Sequence, residues 1–189
     1  MSEQKMYLET PRLILRPWRR NRADAKDLYT YAKDARIGPN AGWRVHKDAA
    51  ESMQIIRDIL STPGICAVVL KETGRIIGAA GLTWGSTGRR YLKEKEAEIG
   101  YWIGVPHQGK GYATEAVQAI IHYAFQAMHF RVLWCAYYEG NTASARVQEK
   151  CGFSFDHTEP ETMVEALGEV RKEHFMKLVY KPEMFVPNK

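Results

Sequence analysis

The feature that most constrains the fold is a short strand that leads through a glycine-rich turn into a long helix. Residues 97–105, AEIGYWIGV, have the apolar character of a strand, and the turn HQGKGYATEA occupies residues 107–116. Eight apolar residues then lie at helical offsets 0, 3, 4, 7, 8, 11, 12 and 15, namely Ala113, Ala116, Val117, Ile120, Ile121, Ala124, Phe125 and Met128. Because this is the spacing of one helix face, the pattern predicts an α helix that begins directly after the glycines.

The start of this helix is a candidate phosphate site. The first turn of a helix carries unpaired backbone N–H groups and the positive end of the helix dipole. Gly109 and Gly111 would let the backbone approach phosphate oxygens closely. The spacing fits neither G-x-x-x-x-G-K-[ST] nor G-x-G-x-x-G, so a phosphate ligand of another kind is required. A glycine turn that only caps a core helix is the alternative.

The remaining elements predict a mixed α/β sheet. Apolar runs indicate strands over 12–17, 131–138 and 170–180 and a hairpin within 65–84, and helical spacing indicates helices over 22–33, 47–60 and 141–153. The predicted order is β, α, α, β, β, β, α, β, α, β, β. Since the chain has no internal repeat and no linker, we expect one domain over residues 1–189.

Composition narrows the location and the partners. No apolar run approaches the roughly 20 residues that span a bilayer, and residues 1–18 lack the basic-then-apolar order of a secretory signal. We therefore expect a cytoplasmic protein with no membrane partner. The three cysteines form no CxxC pair and the six histidines have no metal-ligand spacing, so we expect reduced thiols and no metal. The formal charge of +5 suits RNA, an acidic protein or a phosphorylated cofactor.

The chain resembles the GCN5-related N-acetyltransferase (GNAT) superfamily. Gln108, Gly111 and Ala113 fit its Q/R-x-x-G-x-G/A pyrophosphate loop, which joins the fourth strand to the third helix. The segments TPRLILRPW, EIGYWIG and NTASARVQEKCGF are similar to the branch of ribosomal-protein N-terminal acetyltransferases (RimJ/RimL-like). The resemblance implies a mostly antiparallel twisted sheet of about seven strands, splayed between strands four and five, with about four helices. It also implies acetyl-coenzyme A (acetyl-CoA) as donor and a primary amine as acceptor.

The resemblance also assigns the donor site. The residues whose backbone should hold the pyrophosphate are Gln108, Gly109, Lys110, Gly111, Tyr112 and Ala113, and those beside the pantetheine arm are Trp102, Ile103, Val105 and Asn141. Thr114 could add a hydroxyl. The side chains of Lys110 and Arg146 either reach the phosphates or are simply solvated. Asn141 would serve equally well as a helix cap.

Two residues are the implied catalytic groups. Glu98 is the carboxylate placed near the acceptor amine, acting through water, and its alternative is a surface position on the strand; Glu96 is the reserve candidate. Ser144 is placed near the thioester sulfur as the acid, because Gln148 stands where many relatives have a tyrosine. Cys135 lies in an apolar strand without an activating neighbour in sequence, so an acyl-cysteine route is disfavoured.

The acceptor is the least constrained part. We expect its pocket to involve residues 34–46, 85–96 and 156–169, with Trp43, Arg44 and His46 as substrate-binding candidates. A protein N-terminal amine is the leading acceptor class, and small-molecule amines remain an alternative. A non-catalytic CoA- or RNA-binding module is a rival interpretation. The basic residues Arg89, Arg90, Lys93 and Lys95 would allow association with the ribosome, although nucleic acid is not required, and the oligomeric state stays open.

Overall fold

One open sheet organises the chain. The computed structural model describes residues 6–85 and 92–185. The strands are β1 (Leu8–Glu9), β2 (Leu13–Pro17), β3 (Ile65–Leu70), β4 (Arg75–Trp84), β5 (Glu96–Ile103), β6 (Val132–Tyr138), β7 (Ser154–Val164) and β8 (Glu169–Val179). They form one eight-stranded sheet in the order β1-β2-β3-β4-β5-β6-β8-β7.

The helices match the predicted order. They are α1 (Arg22–Ala32), α2 (Ala49–Ile55), α3 (Tyr112–Gln126) and α4 (Thr142–Lys150). The helix predicted over 47–60 is shorter than expected as an α helix, because its last part, Ile56–Leu60, is a π-helical turn. The side chains of Asn21 and Asn141 cap α1 and α4, as their residue type favours. The mixed α/β prediction is confirmed, with four α helices and eight strands, instead of about seven, among the residues that the structure describes.

The extra strand is β1, and its size explains why the sequence gave no signal. It has two residues and pairs with β2 through Leu8↔Leu15 and Glu9↔Ile14. Two residues are too few to display the alternation that marks a strand. In the described residues, neighbouring strands are antiparallel except for β5 and β6, which are parallel.

The pair β5–β6 is the point where the sheet divides. These strands run parallel and are joined by Glu96↔Val132, Ala97↔Leu133 and Glu98↔Trp134 in the part of the chain that is described. Beyond Glu98 they separate, while β5 continues to pair with β4 and β6 with β8. The predicted splay between the fourth and fifth strands is therefore confirmed, since β5 is the strand predicted over 97–105.

Each face of the sheet has its own core. On one face α3 packs against Leu13, Leu15 and Ile99, all of which are buried. On the other, Leu28 of α1 and the neighbouring Ile56 cover Ile76 and Ala79 of β4. The alternation of side chains along each strand distributes residues between the two faces. Within residues 6–85 and 92–185, no helix has the length and apolar character needed to cross a membrane.

Candidate active site

The division between β5 and β6 opens into a cavity of about 590 Å³. Its walls come from β5, the glycine turn, the first turn of α3, β6, the start of α4 and a segment that follows α1. Every residue of β5 from Glu98 to Ile103 reaches it. Because pairing with β6 has ended there, the backbone groups on that edge of β5 face the opening.

The glycine turn has the geometry of an anion site. Gly109 and Gly111 have φ values of 73° and 81°, in the left-handed region that favours glycine. Gly111 is the cap residue of α3, and no described side chain caps this helix start. The Gln108 side chain instead bends back and donates to the Ile103 carbonyl at 2.8 Å. The first N–H groups of α3 therefore point towards a cavity lined by glycine.

Ten of the twelve predicted donor-site residues line this cavity. They are Trp102, Ile103, Gln108, Gly109, Gly111, Tyr112, Ala113, Thr114, Asn141 and Arg146. Val105 lies in a short 3-10 turn just outside the wall, and the Lys110 carbonyl accepts a hydrogen bond on the far side of the loop. The structure thus brings the glycine turn and the start of α4 together, although α3 and β6 lie between them in the sequence.

Ser144 lies in the first turn of α4, and its partners are Asn141, Gln148 and Tyr101. Its backbone N–H donates to Asn141 Oδ1 at 3.1 Å, and its Oγ accepts from Gln148 Nε2 at 3.1 Å. Tyr101 Oη lies 3.0 Å from both the Ser144 carbonyl oxygen and Ser144 Oγ. Gln148 is fully buried and also donates to the Ala136 carbonyl, so the position that carries a tyrosine in many relatives here orients the serine.

Tyr101 was missed by sequence reasoning. Burial raises the pKa of its phenol, which therefore keeps its proton at neutral pH. The family resemblance places a phenol on the helix after Asn141, whereas Tyr101 comes from the facing strand, whose position the spacing of helix residues does not predict. The available signal was the alternation in β5, which places Tyr101 on the same face as Ile99 and Ile103.

Glu98 lies on the opposite face of β5 from Tyr101. Only 6% of its surface is exposed and it lines the cavity, so it is not a surface strand residue. Glu96 has a different environment, because its Oε2 accepts from Trp134 Nε1 at 3.0 Å and it lies outside the cavity wall. Of the two carboxylates, Glu98 is the one that reaches the opening.

Glu173 of β8 is a second buried carboxylate in this wall, with 2% exposure. The sequence analysis predicted its strand but passed over the residue. Its signal was weak: Glu173 shares a strand face with Phe175, which is buried in the described chain. Burial of such a residue depends on where β6 and α4 end, which local sequence does not show.

The three predicted substrate-binding residues are engaged elsewhere. Trp43 packs on the rings of Trp102 and His46, with centroids 5.8 and 5.3 Å apart. His46 is buried beside Ser52 Oγ at 2.9 Å, and burial lowers the pKa of its imidazole. Arg44 donates to the carbonyl of Ala166. None of the three is among the described residues of the cavity wall, and the same segment reaches the cavity instead through Arg36, Ile37, Asn40 and Ala41.

The described residues of the other two predicted pocket segments, 85–96 and 156–169, are not among those that line the cavity. Arg89 and Arg90 lie outside the described residues, and Lys93 and Lys95 are exposed. Residues 156–169 belong mainly to the hairpin of β7 and β8 and do not line the described cavity. No group of three or more His, Cys, Asp or Glu residues in the described chain is arranged to hold a metal ion.

The cysteines are buried. Burial raises the pKa of Cys66 to about 12 and that of Cys151 to about 11, which keeps both as thiols. Cys135 reaches the cavity wall, and its Sγ donates to the Ile99 carbonyl at 3.2 Å. This contact spans the gap just where β5 and β6 separate, which gives Cys135 a structural role at the division.

The comparison with known proteins decides the family. The model of the acetyltransferase (GNAT) domain matches residues 12–154, a region that contains the whole cavity except Glu173. The chain belongs to the GNAT family. The N-acetyltransferase p20 of Bacillus licheniformis, itself uncharacterised, is 31% identical over 153 residues, covering 77% of this chain and 81% of that protein. The ribosomal-protein-serine acetyltransferase of Escherichia coli is 39% identical over 59 residues, covering 31% and 33%.

Solved structures agree on the fold. A GNAT-family acetyltransferase from Bacillus anthracis has a TM-score of 0.79 at 21% identity, covering 92% of this chain and 98% of that one. The microcin C7 self-immunity acetyltransferase MccE, solved with acetyl-CoA and AMP, has a TM-score of 0.70 at 17% identity, covering 90% and 94%. As a GNAT enzyme, the protein transfers an acetyl group from acetyl-CoA to an amine.

Proposed function

We propose that this GNAT enzyme acetylates a protein N-terminal α-amine by direct attack within a ternary complex. The observation that carries the proposal is the single cavity in which the glycine turn, Ser144 and Glu98 meet. An α-amino group has a pKa of about 7.7–8.0, against about 10.4 for lysine, so it is partly neutral before any base acts. A carboxylate such as Glu98 is then a sufficient base. The similarity to a ribosomal-protein-serine acetyltransferase supports the same acceptor class.

The chain offers a binding surface for each part of acetyl-CoA. The N–H groups at the start of α3, with the left-handed glycines beside them, suit a pyrophosphate. The edge of β5 beyond Glu98 presents backbone groups that no longer pair with β6. These suit the amides of a pantetheine arm. Asn141, Thr114 and Arg146 border the same space.

The proposed base and the proposed acid act on opposite faces of β5. Glu98 accepts, through water, the proton that the amine loses as its nitrogen bonds to the acetyl carbon. As the carbon–sulfur bond breaks, Ser144 donates to the sulfur that takes up the negative charge. The Ser144 hydroxyl accepts from Gln148, which leaves its hydrogen free to point towards Tyr101 or the cavity. Ser144 regains its proton from solvent and Glu98 releases the proton it accepted, so that overall one proton leaves nitrogen and one reaches sulfur.

A small cationic amine is the second candidate acceptor. Glu98 and Glu173 are both buried and line one cavity, so they form an acidic environment that suits a polyamine or an aminated small molecule.

We further propose one domain over the chain, a cytoplasmic location and transient association with the ribosome. The single continuous sheet supports one domain, and the location and the association would follow from a ribosomal-protein acceptor.

The first test is acetyl-CoA binding by calorimetry, followed by thiol release with three panels: N-terminal peptides, internal-lysine peptides and small amines. Turnover confined to free N-terminal peptides is the expected result, and N-terminally blocked copies of the same peptides are the matched control. Turnover confined to small amines would replace the leading acceptor with the second. Binding without turnover on any panel would favour a non-catalytic CoA-binding module.

A further inference from the structure

The proposed function leaves the N-terminal motif TPRLILRPW unexplained. In the fold its first part becomes the entry to β2, beside the start of α3 and the glycine turn. Thr10 and Arg12 are separated from Glu115 by more than a hundred residues, yet they contact it directly. The motif thus reaches the donor loop from outside the cavity, because Thr10 and Arg12 are absent from the described cavity wall.

Arg12 connects three parts of the loop–helix junction. Its Nε lies 2.6 Å from Glu115 Oε2, and its Nη1 donates to the Lys110 carbonyl at 3.0 Å. Its guanidinium carbon lies 4.6 Å from the centre of the Tyr112 ring. A Cβ added at Gly111 would come within 3.4 Å of its Nη2. One side chain therefore touches every residue from Lys110 to Tyr112 or lies within reach of it.

Thr10 completes the arrangement on the carboxylate side. Its Oγ1 donates to Glu115 Oε1 at 2.6 Å, and the Arg12 backbone N–H donates to the same oxygen at 2.9 Å. Both oxygens of Glu115 are thus held by Thr10 and Arg12, which lie just before β2. Glu115 itself lies in the first turn of α3, where its backbone N–H bonds to the Gly111 carbonyl at 3.0 Å.

This arrangement addresses two physical problems of the loop. Two left-handed glycines make a flexible turn, and a flexible turn loses entropy when it closes on a ligand. A carboxylate in the first turn of α3 also repels a phosphate bound at the same helix end. An arginine that bonds both the loop carbonyl and this carboxylate fixes the turn and neutralises the charge. Lysine lacks the planar fork needed for both contacts.

We infer that Arg12, with Thr10, is a positioning residue for the donor: it holds residues 110–112 in the phosphate-binding conformation and cancels the negative charge of Glu115. It does not touch the reacting atoms. Its effect should therefore appear in donor binding and not in the chemical step. The inference rests on the proposed pyrophosphate site at this loop.

The test compares Arg12→Gln with the native enzyme for two donors, acetyl-CoA and S-acetyl-pantetheine, which lacks the pyrophosphate. We expect KM for acetyl-CoA to rise about fivefold to tenfold, with kcat within about twofold, and KM for S-acetyl-pantetheine to stay unchanged. Arg12→Lys should remain impaired, because it keeps the charge but loses the bridge. In the double variant Arg12→Gln/Glu115→Gln, part of the affinity should return, because the uncompensated carboxylate is gone.

Arg16→Gln is the matched control. Arg16 lies in β2, shortly after Arg12, and pairs with Asp24 at 2.7 Å, away from the loop, so its loss should lower the melting temperature without changing KM for acetyl-CoA. Equal KM increases for both donors, or no increase in Arg12→Gln, would overturn the inference while leaving the donor site intact. A native enzyme that binds acetyl-CoA and S-acetyl-pantetheine equally well would overturn the pyrophosphate site itself, and the inference with it.

Discussion

The two ends of the cavity are built in different ways. The donor end comes from one continuous stretch, β5 through the glycine turn into α3, with a single addition from the start of α4. The remaining wall, which we propose as the acceptor end, collects Arg36 and Asn40 after α1, Glu98 from β5 and Glu173 from β8. Asn40 also adjoins the donor end, because its carbonyl accepts from Asn141 Nδ2 at 3.3 Å. A site built from one continuous segment is fixed by local backbone geometry. A site built from three separate segments depends on how the fold places those segments relative to one another. The first is accordingly the better defined by sequence motifs.

Loss of the proposed base should have the largest effect at the acceptor end. We expect Glu98→Gln to lower kcat about a hundredfold, since general bases contribute about 10²–10⁴-fold. The loss should be greatest below the pKa of the acceptor amine, where most of the amine is protonated. The pH–rate profile measures this, and acetyl-CoA affinity should barely change. Glu96→Gln is the control, because Glu96 is held by Trp134 outside the cavity wall.

Removal of the proposed acid and its phenol partner tests the other face of β5. Ser144→Ala should lower kcat about tenfold or more, and Tyr101→Phe by a smaller factor, because the phenol only orients the serine. Acetyl-CoA dissociation constants should be nearly unchanged in both. Tyr180→Phe removes a phenol near Phe125, away from the cavity, and should leave kcat intact. Equal decreases in kcat for Tyr101→Phe and Tyr180→Phe would show that Tyr101 has no specific role in the reaction.

The wall of the proposed donor end could be largely predicted, because the family resemblance names its residues and local spacing supports the elements that carry them. The glycine positions, the helical offsets of α3 and the asparagine cap of α4 are local patterns, and ten of the twelve residues lie in the cavity wall. Pairing of β5 with β6 ends beyond Glu98, where the family resemblance had implied a splay.

The acceptor end could not be predicted in the same detail. Segment 34–46 does line the cavity, but through Arg36 and Asn40, while Trp43 packs against the core that α1 covers. Within GWRVH, His46 is buried beside Ser52 and Trp43 is half-buried against the Trp102 ring, whereas Arg44 and Val45 are exposed. Glu173 is buried through its register opposite Tyr138, a long-range pairing that no local pattern encodes.

Substitution of a loop glycine tests whether backbone geometry alone defines the donor end. Gly111→Val should raise the acetyl-CoA dissociation constant about tenfold, because its φ of 81° is unfavourable for a branched side chain and its Cβ would approach Arg12. Gly74→Val is the matched control, with φ of 67° in the β3–β4 turn and open space around it. It should lose stability without losing affinity. Calorimetry and melting curves measure both, and equal affinity in the two variants would contradict the prediction.

Glu173→Gln should affect only the acceptor end. We expect KM for a cationic acceptor to rise about threefold to tenfold, since the variant keeps the shape of the side chain and removes its charge. KM for acetyl-CoA should not change, because Glu173 belongs to β8 and is not part of the donor loop. Initial rates with each substrate varied in turn separate the two values. A rise confined to acetyl-CoA would mean that Glu173 serves the donor.

The smallest expected effect concerns stability, at a residue that sequence analysis had placed in the acceptor pocket. Burial lowers the pKa of His46 in the folded protein, and attraction to Glu51 offsets this only in part. The unfolded chain therefore binds a proton more readily below its ordinary pKa of about 6.5, so stability falls as the pH drops through that value towards the lower folded pKa. Above about pH 6.5, His46 is neutral in both states and has no such effect.

The melting temperature of the native protein should thus fall more between about pH 7.5 and about pH 5.5 than that of His46→Gln, whose amide can still bond Ser52. Identical slopes would show that His46 accepts a proton in place, and would return it to the candidates for acceptor binding.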